Sequence, residues 1–299
     1  MSVKPAEKSY GPPLALIAVQ LAFGSLPVVG KIVLTAIPNL AFVGFRVGIT
    51  AAILYAFQRL RGSLALSKRS DYARLAVLSL FGVMLNQMFF VRGLSLTRAS
   101  NASLLSVTIP VFTLTIGAVL GVEKPRTIKV AGIILAAFGV ILLIDPRNAS
   151  FSSETTAGDV FIILNSLSYS IYVAGSKDIL SRVGALRAIT WVFLFAAIIC
   201  VPLGVYSLFS IDIAAVSPTV WLAVLYSGVI ATAVPYFANA WALARVNPST
   251  VAVYVYMQPV FGFIMAVLFL SERVGQTFLA ASGLIFAGVY LVTKGRLRV

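Results

Sequence analysis

The sequence contains no histidine, a single cysteine (Cys200) and only nine acidic residues among its 299 positions. One cysteine cannot form a disulfide within the chain, and sites built from histidines or from several cysteines are excluded as well. No HExxH motif is present, and the segment from Gly24 to Lys31 lacks the spacing of a phosphate-binding loop. No pair of carboxylates falls inside an apolar segment, as an intramembrane hydrolase or transferase would require. We therefore expect no catalytic residue, no metal and no cofactor.

Long polar stretches are also missing, and this decides the class of protein. The chain is 60% hydrophobic and 11% charged, with a mean hydropathy of +1.00. A soluble domain cannot bury that much apolar surface, whereas a helical protein with many membrane spans requires it. The net charge of +14 could suggest nucleic acid binding. The basic residues, however, cluster in short gaps between apolar segments, which is typical of membrane topology signals.

Ten apolar segments are long enough to cross a bilayer as helices. The predicted spans are 14–36, 40–58, 74–96, 99–121, 127–144, 158–179, 187–209, 218–242, 249–270 and 277–294. The stretches left over are an N-terminal tail (1–13), a polar linker (145–157) and a C-terminal tail (295–299). The sequence thus predicts an all-α integral membrane protein made of a compact helical bundle.

The distribution of Lys and Arg predicts the orientation of these spans. With the N-terminus in the cytoplasm, 17 basic residues fall on the cytoplasmic side and four on the outer side, while Lys31 and Arg46 lie within spans. Cytoplasmic loops carry an excess of Lys and Arg in membrane proteins. One missing or additional span in mid-chain would destroy this asymmetry. We therefore expect ten spans with both termini in the cytoplasm and the linker 145–157 outside, in the periplasm.

The chain also contains an internal repeat. Pro110-Val111 and Glu123 recur as Pro259-Val260 and Glu272 at the same offset of 149 residues, and Lys31 matches Lys177 at an offset of 146. The two copies are 14–144 and 158–294, with five spans each. Because five is odd, the second copy must enter the membrane upside down. This inverted repeat is an arrangement that many secondary transporters use.

These residues resemble the drug/metabolite transporter superfamily, in its EamA branch, over about residues 14 to 293. The residues that carry the resemblance in the first copy are Phe23-Gly24-Ser25, Lys31, Arg46, the small-residue segment from Ala99 to Pro110-Val111, and Glu123. Those in the second copy are Tyr169-Ser170, Lys177, Pro259-Val260 and Glu272. No single motif is specific, but the doubled set at fixed spacing is.

The resemblance implies a multi-pass transporter of the inner membrane with its cavity between the two five-helix halves. Within the branch, the length and the aromatic second half resemble amino acid exporters of the YddG kind, with aromatic amino acids as the expected substrates. The open alternatives are a nucleotide-sugar or drug carrier of the same superfamily, a channel, or an accessory subunit. The expected partners are a small-molecule substrate and the lipid bilayer, with the protein as a monomer or weak homodimer and without nucleic acid.

Polar residues in the third and eighth spans predict where the cavity lies. Asn86, Gln87 and Phe90 share one helical face, and the offset of 149 carries them to Pro235, Tyr236 and Asn239. A buried amide must face another helix or a wet cavity. The alternative for these polar residues is a hydrogen bond between helices, worth about 0.6 kcal/mol for each bond. The alternative for single tyrosines is packing or anchoring at the membrane interface. The substrate-binding candidates are Gly24, Ser25, Asn86, Gln87, Phe90, Tyr169, Tyr236, Asn239, Tyr254 and Gln258.

Lys31 and Arg46 are the two charged residues within spans. A charge at the bilayer centre costs about 2.5–3.5 kcal/mol on insertion scales. Both side chains lie a turn or two from a span end, so each could extend to the interface. The alternative is that one of them faces the central pathway and binds a substrate carboxylate.

The prolines within spans are candidate hinges, because each removes a hydrogen bond from its helix. They are Pro27, Pro110, Pro235 and Pro259. Bending at these positions would let each half of the protein open and close.

The acidic residues are expected at the ends of spans or in loops. Glu123 and Glu272 are predicted to hold a helix end at opposite membrane faces, and Asp159 falls at the start of the sixth span. Proton-driven transporters usually place a titrating residue within the membrane, and none is evident here. We therefore expect facilitated transport without an obligatory proton.

Overall fold

The computed structural model describes residues 10–97, 99–144, 153–261, 264 and 276–294, and the regular structure within these ranges is helical throughout. Helices suit a chain this apolar because they satisfy every backbone hydrogen bond within one segment. The first helix, α1 (Gly11–Val33), has prolines in its first turn, where a missing N–H costs nothing. A short turn leads to α2 (Asn39–Arg61).

The helices that follow are shorter or longer than a simple span in several places. In chain order they are α3 (Arg69–Ser79), α4 (Asn86–Leu96), α5 (Ala99–Leu105), α6 (Thr108–Val119), α7 (Thr127–Ile144), α8 (Ser153–Val183), α9 (Ala185–Leu208), α10 (Pro218–Gly228), α11 (Val234–Leu243), α12 (Pro248–Val253) and α13 (Gln276–Lys294). Of the described segments, six are long and apolar enough to cross a membrane: Gly11–Val33, Asn39–Arg61, Arg69–Leu96, Thr155–Val183, Ala185–Leu208 and Pro218–Leu243. Three shorter apolar helices accompany them: Thr108–Val119, Thr127–Leu143 and Leu279–Thr293.

The third and eighth predicted spans contain the same local irregularity. A π-helical segment, Leu80–Leu85, joins α3 to α4, and another, Val229–Ala233, joins α10 to α11. The two segments begin 149 positions apart, which is the offset of the sequence repeat. Single π turns are rare and frequently occur at functional sites. Both lie immediately before the polar residues predicted to face the cavity.

The fourth and ninth predicted spans are both interrupted, again at equivalent positions. Residues Ser106 and Val107 separate α5 from α6, and a 3₁₀ segment, Tyr254–Met257, follows α12. Each interruption lies about four residues before a proline, Pro110 or Pro259. A proline ring clashes with the carbonyl four residues earlier and cannot donate the helical hydrogen bond. The same chemistry places Pro235 in the first turn of α11, whereas α1 continues across Pro27 without a break.

The helices do not pack as one bundle for each half of the sequence. Helix α8, from the second half of the sequence, packs against α4 and α6 of the first. Helix α1, from the first half, packs against α10 and α11 of the second. The peripheral helices pair in the same way, α2 with α9 and α7 with α13. We call α3, α4, α6 and α8 bundle A, and α1, α10 and α11 bundle B. Each bundle therefore mixes the two halves of the sequence.

Close packing of α2 on α9 depends on glycine. A Cβ atom added to Gly44 would lie 2.9 Å from the Cα atom of Gly204 and 2.9 Å from the carbonyl oxygen of Cys200. Small residues allow helix backbones to approach this closely in membranes, where dispersion contacts replace the hydrophobic effect between helices. This contact holds α2, and with it Arg46, against the rest of the protein.

Candidate functional site

A cavity of about 100 Å³ lies at the centre of the protein, and both halves of the sequence contribute to it. Its walls come from α1, α2, α4, α8 and α11 and from the two interrupted spans. The lining residues are Phe23, Leu26, Arg46, Asn86, Gln87, Phe90, Ala102, Ser106, Ile109, Asn165, Tyr169, Tyr236, Val255 and Gln258. The cavity therefore lies between bundles A and B, not between the two halves of the sequence.

The polar residues of α4 and α11 meet at this cavity. The Tyr236 hydroxyl donates to Asn86 Oδ1 at 3.0 Å and lies 3.3 Å from the carbonyl oxygen of Gly82. Asn86 is also tied to α8, because Asn165 Nδ2 donates to the Asn86 carbonyl at 2.8 Å. The buried Gln87 amide adjoins the Tyr236 hydroxyl, yet neither of its polar atoms makes a hydrogen bond of normal geometry to a described residue. Part of this polar surface is thus available to a ligand.

Tyr169 and Asn239 connect the two bundles beside the cavity. The Asn239 side-chain amide donates to the Tyr169 hydroxyl, and both residues are buried. Their repeat mates, at offsets of 146 and 149, are Phe23 and Phe90, which also line the cavity. A polar pair at one position of the repeat thus corresponds to an aromatic pair at the other.

Arg46 lies within α2 and is 2% exposed. Its Nε donates to Thr232 Oγ1 at 3.1 Å, and Thr232 belongs to the π-helical segment before α11. The guanidinium lies 5.5 Å from the centre of the Phe42 ring. Nη1 has no hydrogen-bond partner in the described part of the chain, and the ion pairs found there do not include Arg46. The cavity wall therefore carries a buried positive charge with hydrogen-bonding capacity left over.

Lys31 lies near the end of α1 and does not face the central pathway. Its ammonium donates to the carbonyl of Thr97 at 3.2 Å, just past the end of α4. Its mate Lys177 donates to the carbonyl of Val246 at 2.6 Å, just past the end of α11. The two acceptors are 149 positions apart. Both lysines bind backbone carbonyls near the end of a helix, where the helix dipole favours a cation. Lys31 does not line the cavity.

Four predicted substrate-binding residues lie outside the cavity wall. Gly24 lies where a Cβ atom would come within 3.4 Å of the Gln258 carbonyl, which indicates helix packing. Ser25 hydrogen-bonds the carbonyl of Ala22 and the hydroxyl of Tyr226. Tyr254 is buried in the 3₁₀ segment, and Asn239 is buried and donates a hydrogen bond to the Tyr169 hydroxyl.

The lining residues absent from the prediction are mostly apolar or small: Phe23, Leu26, Ala102, Ser106, Ile109, Asn165 and Val255. Two of them had a signal in the sequence. Phe23 is the repeat mate of Tyr169, and Asn165 lies one helical turn before Tyr169 on the same face. The others are of types that fill any helix interface, so their position depends on which helices pack together.

Glu123 lies just beyond α6 and binds the start of α12. Its carboxylate accepts from the backbone N–H of Ser249 at 3.0 Å, from the Ser249 hydroxyl and from the ammonium of Lys129. Glu123 is 6% exposed and Lys129 is 3% exposed. A carboxylate at a helix N-terminus satisfies free N–H groups and complements the helix dipole. The partner candidate Glu272 lies outside the described residues.

Asp159 lies near the start of a long helix. Helix α8 begins at Ser153, five residues before the predicted span, so Asp159 lies in its second turn. The carboxylate is buried and accepts from Thr97 Oγ1 at 2.6 Å and from Asn101 Nδ2 at 3.0 Å. It joins the end of α4 to the start of α5 and does not line the cavity.

Comparison with known proteins is consistent with this architecture. The model of the EamA-like transporter family matches the chain twice, over residues 11–145 and 156–294. An uncharacterized transporter of Archaeoglobus fulgidus is 33% identical over 257 residues, which cover 85% of this chain and 87% of that protein. The uncharacterized inner membrane transporter YedA of Escherichia coli (strain K12) is 26% identical over 292 residues, 94% of this chain and 90% of its own.

A protein of known crystal structure shares the fold. It superposes with a TM-score of 0.76 at 20% sequence identity, over 96% of this chain and 99% of its own. The doubled match to one family model agrees with the doubled π-helical segments and interrupted spans. The chain therefore belongs to the EamA-like transporter family, a group of multi-pass membrane proteins within the drug/metabolite transporter superfamily.

Proposed function

We propose that this protein exports small organic metabolites that carry a carboxylate, with aromatic amino acids as the leading candidates. The observation that carries the proposal is Arg46, a buried cation on the cavity wall with an unpartnered Nη1. A buried charge is costly unless it is paired. A substrate carboxylate would supply the missing partner, and guanidinium binds carboxylates strongly through paired hydrogen bonds.

The other lining residues fit the rest of such a substrate. Phe23, Phe90, Tyr169 and Tyr236 surround the cavity, and aromatic rings pack favourably against one another in edge-to-face arrangements. The Gln87 side-chain oxygen can accept a hydrogen bond from the ammonium group of such a substrate. Nucleotide sugars and larger drugs are the alternative substrates.

The size of the cavity and its contacts support alternating access as the mechanism of this proposal. A cavity of about 100 Å³ is smaller than the roughly 300–1,000 Å³ of typical ligand pockets, so it must widen to admit a whole metabolite. Tyr236–Asn86 and Asn239–Tyr169 join bundles A and B beside it. We propose that these contacts break when the bundles separate to admit a substrate.

The membrane topology belongs to the same proposal. Ten spans with both termini in the cytoplasm would make the second copy an inverted repeat of the first. The matched lysine contacts support this, because Lys31 and Lys177 bind equivalent carbonyls in the two copies. Under this topology the Glu123 contact with Ser249 lies at the cytoplasmic face, where it would hold the end of α6 to α12.

Transport is proposed to be facilitative. None of the described residues that line the cavity is acidic. The described cavity wall therefore has no carboxylate that could bind both the substrate and a coupling proton. Asp159 and Glu123 are both engaged outside the cavity. An imposed pH gradient should leave the final level of uptake into proteoliposomes unchanged; accumulation driven by the gradient would contradict this part of the proposal.

The experiment that tests the function is counterflow in proteoliposomes preloaded with unlabelled substrate. Labelled phenylalanine, tryptophan and tyrosine are tested first, followed by aliphatic amino acids and nucleotide sugars. Saturable counterflow of an amino acid is the expected result. Non-saturable flux would indicate a channel, flux of nucleotide sugars alone would identify the other carrier type, and no flux with any substrate would favour an accessory subunit.

A further inference from the structure

Arg46 is held by a threonine that lies behind the wall of the central cavity. The Nε of Arg46 donates a hydrogen bond to Thr232 Oγ1 at 3.1 Å, and Thr232 is fully buried. Thr232 is not among the described residues that line the cavity. It lies in the second π-helical segment, Val229–Ala233, which joins α10 to α11. A role for Thr232 in binding would therefore be indirect, through the guanidinium that it contacts.

The hydroxyl of Thr232 has a fixed direction. It donates to the carbonyl oxygen of Ser227 at 2.6 Å. A hydroxyl has one hydrogen to donate and two lone pairs that accept. Because the hydrogen is bound to Ser227, the oxygen presents a lone pair to Arg46 and can only accept there. The guanidinium is planar and rigid, so a bond that fixes Nε–H also limits the directions in which the two Nη groups point.

The backbone before Thr232 is held against α2 as well. Thr50, one turn after Arg46 on α2, donates from Oγ1 to the carbonyl oxygen of Gly228 at 3.0 Å. A Cβ atom added to Gly228 would lie 2.8 Å from the Ile49 side chain, so a glycine is what allows this close approach. Two contacts one helical turn apart thus set the distance between α2 and the π-helical segment, and with it the bond from Arg46 to Thr232.

The arginine and the threonine are absent together from the other copy of the repeat. At the offset of 149, Thr232 corresponds to Val83 in the first π-helical segment, Leu80–Leu85. At offsets of 146 to 149, Arg46 corresponds to one of positions 192–195, all of which are apolar. The first segment therefore forms the same π turn without a hydroxyl. The threonine is not needed for the turn itself, and its contact with Arg46 distinguishes the second segment from the first.

The contacts of Arg46 leave one end of its guanidinium for a ligand. Nε is bound to Thr232, and the Phe42 ring lies 5.5 Å from the guanidinium carbon. Nη1 has no hydrogen-bond partner in the described part of the chain. Arginine binds a carboxylate through N–H groups that must point at its oxygens. A guanidinium that turned away from this direction would keep its charge but lose the geometry for the bond.

We propose that Thr232 is the positioning residue of the carboxylate site, and that it holds the Arg46 guanidinium with Nη1 directed at the substrate. This inference rests on the proposed function, because that function assigns Arg46 to a substrate carboxylate. Loss of the hydroxyl should weaken the binding of compounds that carry a carboxylate and leave compounds without one unaffected. Damage to the packing of the helices would weaken both.

The test measures apparent affinity for phenylalanine and for phenethylamine, which lacks the carboxylate, as competitors of counterflow in proteoliposomes. Thr232→Val should lose about tenfold in affinity for phenylalanine, as expected for one hydrogen bond to a charged group, with no change for phenethylamine and a similar maximal rate. Thr232→Ser keeps the hydroxyl and should restore the affinity. In an Arg46→Gln background, Thr232→Val should cause no further loss, because the two residues act as one unit.

The matched control is Thr113→Val in α6. Thr113 is fully buried and does not line the cavity, and its hydroxyl has no partner among the described residues. This variant should bind both compounds as the unaltered protein does. If Thr232→Val does not fold, Thr232→Ala replaces it with the same expected result, since the smaller side chain cannot overpack the site.

Three outcomes would overturn the assignment of Thr232 in a protein that transports phenylalanine. They are unchanged phenylalanine affinity in Thr232→Val, equal losses for phenylalanine and phenethylamine, and the same further loss in the Arg46→Gln background as in the unaltered protein. Absence of phenylalanine counterflow in the unaltered protein is a different result. It would contradict the proposed function itself and remove the basis of this inference.

Discussion

The hydroxyl of Tyr236 donates a hydrogen bond to Asn86 Oδ1 across 3.0 Å and so joins α11 to α4 at the wall of the central cavity. The Tyr236 ring is held independently of this bond. It packs edge-on against Phe193 at 5.0 Å and against Phe23 at 5.8 Å between ring centres. The ring would therefore keep its place if the hydroxyl were removed, which allows the hydrogen bond to be tested alone.

Tyr236→Phe should change the rate of counterflow severalfold with little change in thermal stability. The lost hydrogen bond is worth about 0.5–1.5 kcal/mol, and in a two-state carrier that energy shifts the balance between open and closed states by up to about tenfold. The matched control is Tyr172→Phe, an equally buried tyrosine that does not line the cavity. Equal rates in both variants would show that the bond does not bias the transport cycle.

Glu123→Gln should destabilise the protein by about 3–5 kcal/mol, because it leaves the buried ammonium of Lys129 without a countercharge. Asp178→Asn is the control. Its pair with Arg74 is largely exposed, at 63% and 42% of the side chains, and exposed pairs contribute about 0–1 kcal/mol. Thermal unfolding in detergent measures both. Similar shifts in the two variants would contradict the assigned role of Glu123.

Gly44→Ala should lower stability by about 1–3 kcal/mol, since the new methyl would collide with the backbone of α9. Gly283→Ala, in α13, places the same methyl in open space and should be neutral or slightly stabilising, because alanine favours helix over glycine. An unaltered unfolding temperature for Gly44→Ala would show that α2 and α9 can separate at no cost.

Pro110→Ala should slow transport about tenfold or more, because it restores a helical hydrogen-bond donor beside the interruption between α5 and α6. The control Pro202→Ala changes an exposed proline inside α9, away from the cavity. Exchange rates in proteoliposomes compare the two. Equal rates would remove Pro110 from the proposed hinges.

The sequence predicted the cavity best where a local rule applies. An amide or hydroxyl within an apolar helix must find a polar environment, so Asn86, Gln87 and Tyr236 could be assigned to the interior from their own segments. The duplicated spacing added the equivalence of α4 and α11. Neither signal says which apolar helices pack together, because all of them present similar surfaces in a membrane. The packing of α8 on helices of the first half, and of α1 on helices of the second, therefore could not be predicted from the sequence.

Contacts between residues far apart in the chain were also not predictable from the sequence. Glu123 was expected to hold a helix end, yet its contact with Ser249 spans 126 positions and leaves no local pattern. Lys31 and Arg46 had the same two interpretations at first. Lys31 lies in the last turn of α1 and reaches a carbonyl, whereas Arg46 lies two turns into α2 and stays at the cavity. Depth within the helix separates them.

The most direct test of the central claim compares phenylalanine with phenethylamine, which lacks the carboxylate, as competitors of counterflow. The unaltered protein and Lys31→Gln should both prefer phenylalanine. Arg46→Gln should lose about ten- to hundredfold in apparent affinity for phenylalanine, as expected for hydrogen bonds to a charged group, and should no longer distinguish the two compounds. Equal competition by phenethylamine in the unaltered protein, or unchanged phenylalanine affinity in Arg46→Gln, would contradict the assignment of Arg46 as the carboxylate-binding residue.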